Sequence, residues 1–162
     1  MSNRALFLDR DGVLNRERGE YTYRVEDFDI LPDVAETLQK AQQLGYKLIV
    51  ITNQGGIAKE LYGHEDVQKV HRFFQNQMSE RGVEIDDFFY SPNHDAVSKS
   101  LDRKPDSLLL EKAIYLHNID PLCSFMIGDS DRDCEAAGKV GVKCFKIESN
   151  TSISFILDHL HE

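Results

Sequence analysis

Five short apolar runs punctuate the chain: Ala5-Leu6-Phe7-Leu8, Leu48-Ile49-Val50-Ile51, Phe88-Phe89-Tyr90, Phe125-Met126-Ile127 and a weaker Val142-Lys143-Cys144-Phe145. Each is continuous, as expected of strands covered by helices on both faces; a sheet with one wet face would alternate apolar and polar positions. Between the runs, apolar residues recur at helical spacing. Val34, Leu38, Ala41 and Leu44 form one stripe that stops at Gly45, a residue suited to the left-handed position after a helix end. Val67, Val70, Phe74 and Met78 form a second stripe over His64 to Arg81, and Leu109, Ala113 and Leu116 a third behind Pro105 and Asp106. A fourth helix is expected from Asp131 and a fifth from Thr151, with Ile153, Ile156, Leu157 and Leu160 on its apolar side. Strands alternating with helices predict an α/β fold: a doubly wound, mostly parallel five-stranded sheet with helices on both faces. No repeat, charge block or Gly/Ser linker interrupts the pattern, so residues 1–162 read as one domain.

The residues that end the strands carry the chemistry. Strand one runs into Asp9-Arg10-Asp11-Gly12, strand two into Thr52-Asn53-Gln54-Gly55, and strand four into Gly128-Asp129-Ser130-Asp131-Arg132-Asp133. Open parallel sheets bind ligands outside the carboxyl ends of their strands, where the strand order reverses. Lys104, just before the third helix, can reach the same crevice. One Asp-Gly is more often a turn, and one Thr-Asn more often a cap. Several acids gathered in one crevice instead call for a cation. Asp9, Asp11 and Asp129 are hard oxygen donors with no His or Cys cluster beside them, a set that favours Mg²⁺, which in turn favours a phosphate ester as substrate. An Asp carboxylate can attack phosphorus, a second can exchange protons with the leaving group and water, and Thr52 and Lys104 can hold the phosphoryl oxygens.

Composition narrows the partners. Twenty-eight Asp and Glu against 19 Lys and Arg give a net charge of -9, which disfavours nucleic acid and anionic membranes. The N-terminal MSNRALFLDRDG is too short an apolar stretch for a signal or a membrane span. Cys123, Cys134 and Cys144 cannot all pair and show no Cys-x-x-Cys spacing, so a reducing cytoplasm is the expected setting, with Cys134 and Cys144 as small core residues. His64, His71, His117, His159 and His161 read as helix-surface residues, Phe73 and Phe74 as helix packing, and Glu17-Arg18-Gly19-Glu20 as a solvated loop bordering the crevice.

At Asp9-x-Asp11-Gly12, Thr52, Lys104 and Gly128-Asp129-x-x-x-Asp133 the sequence resembles, in order, the four motifs of the haloacid dehalogenase-like phosphatases. The resemblance implies that Asp9 is the nucleophile and that Asp11 is the general acid/base and lends its backbone carbonyl to Mg²⁺. It makes Asp129 the third protein ligand and gives Asp133 a supporting role behind the metal. Asp11 sets the chain apart from the dehalogenases, which lack that second acid. Receiver domains, a signalling alternative, carry similar groups in a different order. The gaps between motifs leave no room for a cap domain, so loops Asn15 to Ile30 and Asn93 to Asp102 are expected to shape an open pocket.

Within the family, Phe7 to Gly12, Ile51 to Ala58, Tyr90 to His94 and Asp102 to Pro105 resemble the capless branch of heptose bisphosphate and histidinol-phosphate phosphatases. This implies a small phosphorylated metabolite as substrate, with Arg103 and Asn53 as further contacts; a polynucleotide 3′-phosphatase is a lower alternative. The branch usually holds a structural zinc through thiolates. Ser91, Asn93, Ser100 and Asp102 stand at the corresponding places, so no structural zinc is expected. His94 alone reads as a solvent or substrate contact.

Overall fold

A computed structural model describes residues 1–161. Strands β1 (Arg4–Leu8), β2 (Tyr46–Asn53), β3 (Asp87–Ser91), β4 (Phe125–Gly128) and β5 (Lys143–Lys146) form one open sheet in the order β3-β2-β1-β4-β5, every neighbouring pair parallel. The chain adds β2 and β3 on one side of β1, then returns to start β4 on the other. The strand order therefore reverses between β1 and β4, and the crevice there is the natural ligand site.

Alternate strand residues point to opposite faces, and each face has its own core. Leu6, Leu8, Leu48 and Val50 pack with Val34, Leu38 and Ala41 of α1 (Val34–Gln43) and with Val70, Phe74 and Met78 of α2 (His64–Ser79). Ala5, Phe7, Ile49 and Ile51 pack with Leu109, Leu110 and Ala113 of α3 (Leu108–His117) and with Ala136 and Ala137 of α4 (Asp131–Lys139). Burial on both faces explains the unbroken apolar runs of β1, β2 and β4, each fully buried side chain of this kind contributing about 1.5–3 kcal/mol, whereas the edge strands β3 and β5 are only partly covered. Gly45, at φ +87°, follows α1 in the left-handed conformation.

Several expectations are corrected. The helix expected from Thr151 is a 3₁₀ segment, Ser154–Asp158, which buries Ile156 while Ile153 and Leu160 are buried on either side of it. So short a piece depends on tertiary packing because helix nucleation is costly. Cys134 and Cys144 are bonded to each other, not separate core thiols, because α4 packs back onto β5. A formed disulfide removes the cysteine argument for a reducing compartment. His71 is not on the surface: it is 6% exposed, stacked on Phe88 with ring centroids 4.7 Å apart. His117 also departs from expectation, its Nε2 lying 2.8 Å from Asp87 Oδ2. No helix among the described residues is long and apolar enough to cross a membrane.

Burial and the neighbouring Arg10 charge push the His71 imidazole from 6.5 down to about 3. A group depressed in this way supports the fold fully above its unfolded value, and the support is lost as pH falls through the window down to its folded value. His71→Gln should therefore flatten the decline in unfolding free energy measured by urea melts between pH 6.5 and about 3. An unchanged pH slope would contradict this.

Candidate active site

Asp9 and Asp129 directly follow β1 and β4, the two strands that flank the reversal. Their register places Leu8 opposite Ile127, and the Asp9 N–H donates to the Ile127 carbonyl at 3.0 Å. Thr52 and Asn53 end β2, and Lys104 lies in the segment between β3 and α3. These residues, with Asp11, Gln54, Arg103 and Asp133, line one cleft of about 570 Å³. The structure thus brings together every residue singled out from the sequence.

Lys104 organises the floor. It is 2% exposed, and its ammonium donates to Asp9 Oδ1 at 3.0 Å, to Asp133 Oδ1 at 2.5 Å and to the Ile51 carbonyl at 2.7 Å. All three ammonium protons are spoken for, so Lys104 acts here by charge and by fixing Asp9. Burial pushes its pKa down, but the Asp9 and Asp133 carboxylates outweigh burial and hold it above the ordinary lysine value. Asn53 is occupied too: its Oδ1 accepts from the Lys104 N–H at 2.9 Å and its Nδ2 donates to the Lys104 carbonyl at 3.0 Å. The carboxamide thus clamps the lysine backbone to β2 and also lines the cleft, with its second Nδ2 proton not used by these two bonds.

The carboxylates divide into two environments. One oxygen from each of Asp9, Asp129 and Asp133 lies within 4.8 Å of the others. Burial first, then repulsion from Asp133, raises the Asp9 carboxyl well above the usual range despite Lys104. Ser149 Oγ donates to Asp129 Oδ2 at 2.7 Å, while Asp133 Oδ2 accepts from the Ser130 N–H and hydroxyl at the start of α4. Asp133 therefore has both oxygens engaged, whereas Asp9 Oδ2 and Asp129 Oδ1 have no hydrogen-bond partner among the described residues. Two hard, uncommitted oxygens in a crowded anionic pocket suit a divalent cation such as Mg²⁺. Gly12, at φ +89°, makes the approach possible, since a Cβ there would lie 2.1 Å from Asp129 Oδ2.

Asp11 sits apart in a ring of donors. Arg10 Nη2 and Asn15 Nδ2 each donate to its Oδ1 at 2.9 Å, and Gln54 Nε2 donates to its Oδ2 at 3.2 Å. Burial raises its pKa, but the Arg10 charge and these hydrogen bonds outweigh it and hold the carboxyl below the usual range. Sequence reasoning missed this ring. Arg10 is 1% exposed and donates to the Thr22 carbonyl; Gln54 also donates to Thr52 Oγ1 at 2.9 Å and is held by the Tyr62 hydroxyl at 2.8 Å. A cation set between two acids at a strand end was the available signal for Arg10. Arg103, His94 and Arg132 line the cleft mouth, facing the loop of Glu17, Glu20 and Tyr21.

An open parallel sheet that gathers aspartates, a threonine and a lysine at its switch point is the architecture of the haloacid dehalogenase-like hydrolases. Residues 9–147 match that family, and the chain belongs to it. It is a phosphatase of that family. Among its relatives, the D-glycero-alpha-D-manno-heptose-1,7-bisphosphate 7-phosphatase of Photorhabdus laumondii is 35% identical over 150 residues, covering 88% of this chain and 81% of the relative. A D-glycero-beta-D-manno-heptose-1,7-bisphosphate 7-phosphatase of Helicobacter pylori is 37% identical over 143 residues, covering 88% and 82%. In fold, the chain resembles the B. bronchiseptica D,D-heptose 1.7-bisphosphate phosphatase solved with magnesium and phosphate, with a TM-score of 0.85 at 23% identity over 90% of this chain and 81% of that one.

Three crowded carboxylates against one ammonium leave the metal-free floor short of positive charge. Because the Asp9 pKa is raised, the contribution of this group to stability is fullest at low pH and is lost as pH rises through the folded value. Asp9→Asn should thus raise the melting temperature of chelator-treated protein at about pH 8. A lower melting temperature than wild type would contradict this reading.

Proposed function

We propose that the protein is a Mg²⁺-dependent phosphomonoesterase, one domain over residues 1–162, that removes the 7-phosphate of a D-glycero-D-manno-heptose 1,7-bisphosphate through an aspartyl-phosphate. The observation that carries this reading is the pairing of Asp9 and Asp129 across the switch point, each with one oxygen uncommitted, beside the buried Lys104.

Asp9 would attack phosphorus, forming an Asp9–phosphorus bond as the phosphorus–alkoxide bond breaks. Asp11, ionised at rest, would relay to the departing alkoxide a proton brought in by the phosphate monoester, then take one from the water that attacks the phosphoenzyme and release it with the inorganic phosphate, so that both carboxyls return to their starting state. The Thr52 hydroxyl accepts from Gln54, and its only acceptor among the described residues is the Asn53 carbonyl at 3.4 Å, so its proton is available to a phosphoryl oxygen. Bound at Asp9 and Asp129 and at the Asp11 carbonyl, Mg²⁺ would supply positive charge to the nucleophile and to the transferring group. Asp133 holds Lys104 and the start of α4 behind this centre.

The choice of substrate rests on the cleft mouth and on the named relatives. Arg103 is 7% exposed and its buried Nε has no hydrogen-bond partner, and Arg132 and His94 stand on the same rim. Such a rim suits a second phosphate better than the ammonium of histidinol phosphate. The test is kcat/KM across heptose 1,7-bisphosphate, histidinol phosphate and a 3′-phosphorylated oligonucleotide in Mg²⁺. The bisphosphate is expected to lead, and preference for either other ester would overturn the assignment. Asp11→Asn should lower kcat by about 10²–10⁴-fold, the usual range for lost acid–base catalysis. Turnover near the wild-type rate would refute the role of Asp11.

A further inference from the structure

The segment between Ser91 and Asp102 leaves β3 and returns just before Arg103 and Lys104, yet no apolar core holds it. Val97 and Leu101 are 59% and 71% exposed. Its base is tied by polar groups alone. Asp102 Oδ1 accepts from the Ser91 hydroxyl at 2.7 Å, the Ser100 hydroxyl at 2.6 Å and Asn93 Nδ2 at 3.0 Å. Asn93 Nδ2 also approaches Asp102 Oδ2 at 3.3 Å and Ser100 Oγ at 3.1 Å. Burial raises the Asp102 pKa, but the hydrogen bonds from Ser100, Ser91 and Asn93 outweigh it and keep the carboxyl below the usual range, so the knot is built on an anion.

Asn93 passes this order to the cleft. While its side chain joins the knot, its carbonyl accepts from Arg103 Nη1 at 3.0 Å. The guanidinium is wedged under Gly55, where a Cβ would meet His94 at 2.8 Å, Arg103 Nη1 at 2.9 Å and the Asn93 carbonyl at 3.1 Å. Arg103 Nε stays without a hydrogen-bond partner among the described residues, with the exposed Asp95 carboxylate at 3.8 Å. A buried cation with an unmet donor at the mouth of a phosphatase cleft is prepared for an anion, and what fixes its aim is Asn93, which Asp102 fixes in turn.

We propose that Asp102 is a positioning residue: its carboxylate ties the two ends of the 91–102 loop and so holds Arg103 where it selects substrates carrying a second anionic group. The selectivity half of the proposal rests on the phosphatase reading above; the loop-holding half does not.

The test compares heptose 1,7-bisphosphate with p-nitrophenyl phosphate, which lacks a second phosphate. Asp102→Ala is expected to raise KM for the bisphosphate about tenfold, the effect of losing roughly one hydrogen bond to a charged group, with kcat and the turnover of p-nitrophenyl phosphate held within about twofold. Asp102→Asn, which keeps an acceptor oxygen, should restore part of the loss. Arg103→Ala should raise the bisphosphate KM similarly, and the double variant should be no worse than Arg103→Ala, since the two act as a unit. Equal losses on both esters, or additive losses in the double variant, would overturn the positioning role. Hydrogen exchange decides the loop-holding half separately: amides of 92–103 should exchange faster in Asp102→Ala while those of the sheet do not, and unchanged exchange in the loop would overturn it. Wild-type protein indifferent to the second phosphate would overturn the selectivity half and the substrate assignment together, while loop exchange would still decide whether Asp102 holds the loop.

Discussion

The ammonium of Lys104, buried between Asp9 and Asp133, is the contact on which the site is built. Carboxylates repel strongly where water is excluded, and removing one partner of a buried ion pair is costly because the other charge is left unmatched. The fold commits several local features to this one point. Asn53 grips the Lys104 backbone from the end of β2, the Ile51 carbonyl takes the third ammonium proton, and Asp133 reaches back from the first turn of α4. The adjacency of β1 and β4 then sets Asp129 beside Asp9. One lysine cannot balance three carboxylates, and the oxygens left over face the cleft. A site suited to a divalent cation is thus a consequence of how the floor is assembled.

Charge is sorted along the cleft as well as counted. The chain as a whole is acidic at -9, yet the mouth carries Arg103, Arg132 and His94, and the floor carries Lys104. Asp9 and Asp11, two residues apart, are pushed in opposite directions, one by burial among acids and the other by Arg10 and a ring of hydrogen-bond donors. Without a cation these directions run opposite to the proposed roles, raised at the nucleophile and lowered at the proton carrier, and a divalent cation held at Asp9 and Asp129 would favour the ionised nucleophile. The Arg10 contacts to Thr22 and His71 tie that distinction to the 16–24 loop and to α2, so the proton carrier depends on packing well beyond the strand ends.

The central strands and the polar residues at their carboxyl ends were legible because both rest on local pattern. A doubly covered strand must be apolar throughout, and a polar cluster at its carboxyl end has one place to go. Gln54 and Tyr62 were not legible, because their partners are set by how two loops meet rather than by spacing, and Arg10 was marked only by its place between two acids. His71 could have been found: it lies one turn beyond Val67 on the buried stripe of α2, but its polarity suggested the surface. The Cys134–Cys144 bond depends on the packing of α4 against β5, which the sequence spacing does not specify. The hold of Asn53 on the Lys104 backbone was not legible either, since it depends on where the segment after β3 returns to β2.

The central claim is that Asp9 is the group that accepts phosphorus. Acid quenching during steady turnover of the bisphosphate in Mg²⁺, followed by peptide mapping by mass spectrometry, reads that directly. Phosphate is expected on the peptide containing Asp9, at that residue, and removable by hydroxylamine as an acyl phosphate is. Phosphate on any other side chain, or turnover through direct attack of water with no phosphoenzyme formed, would contradict it.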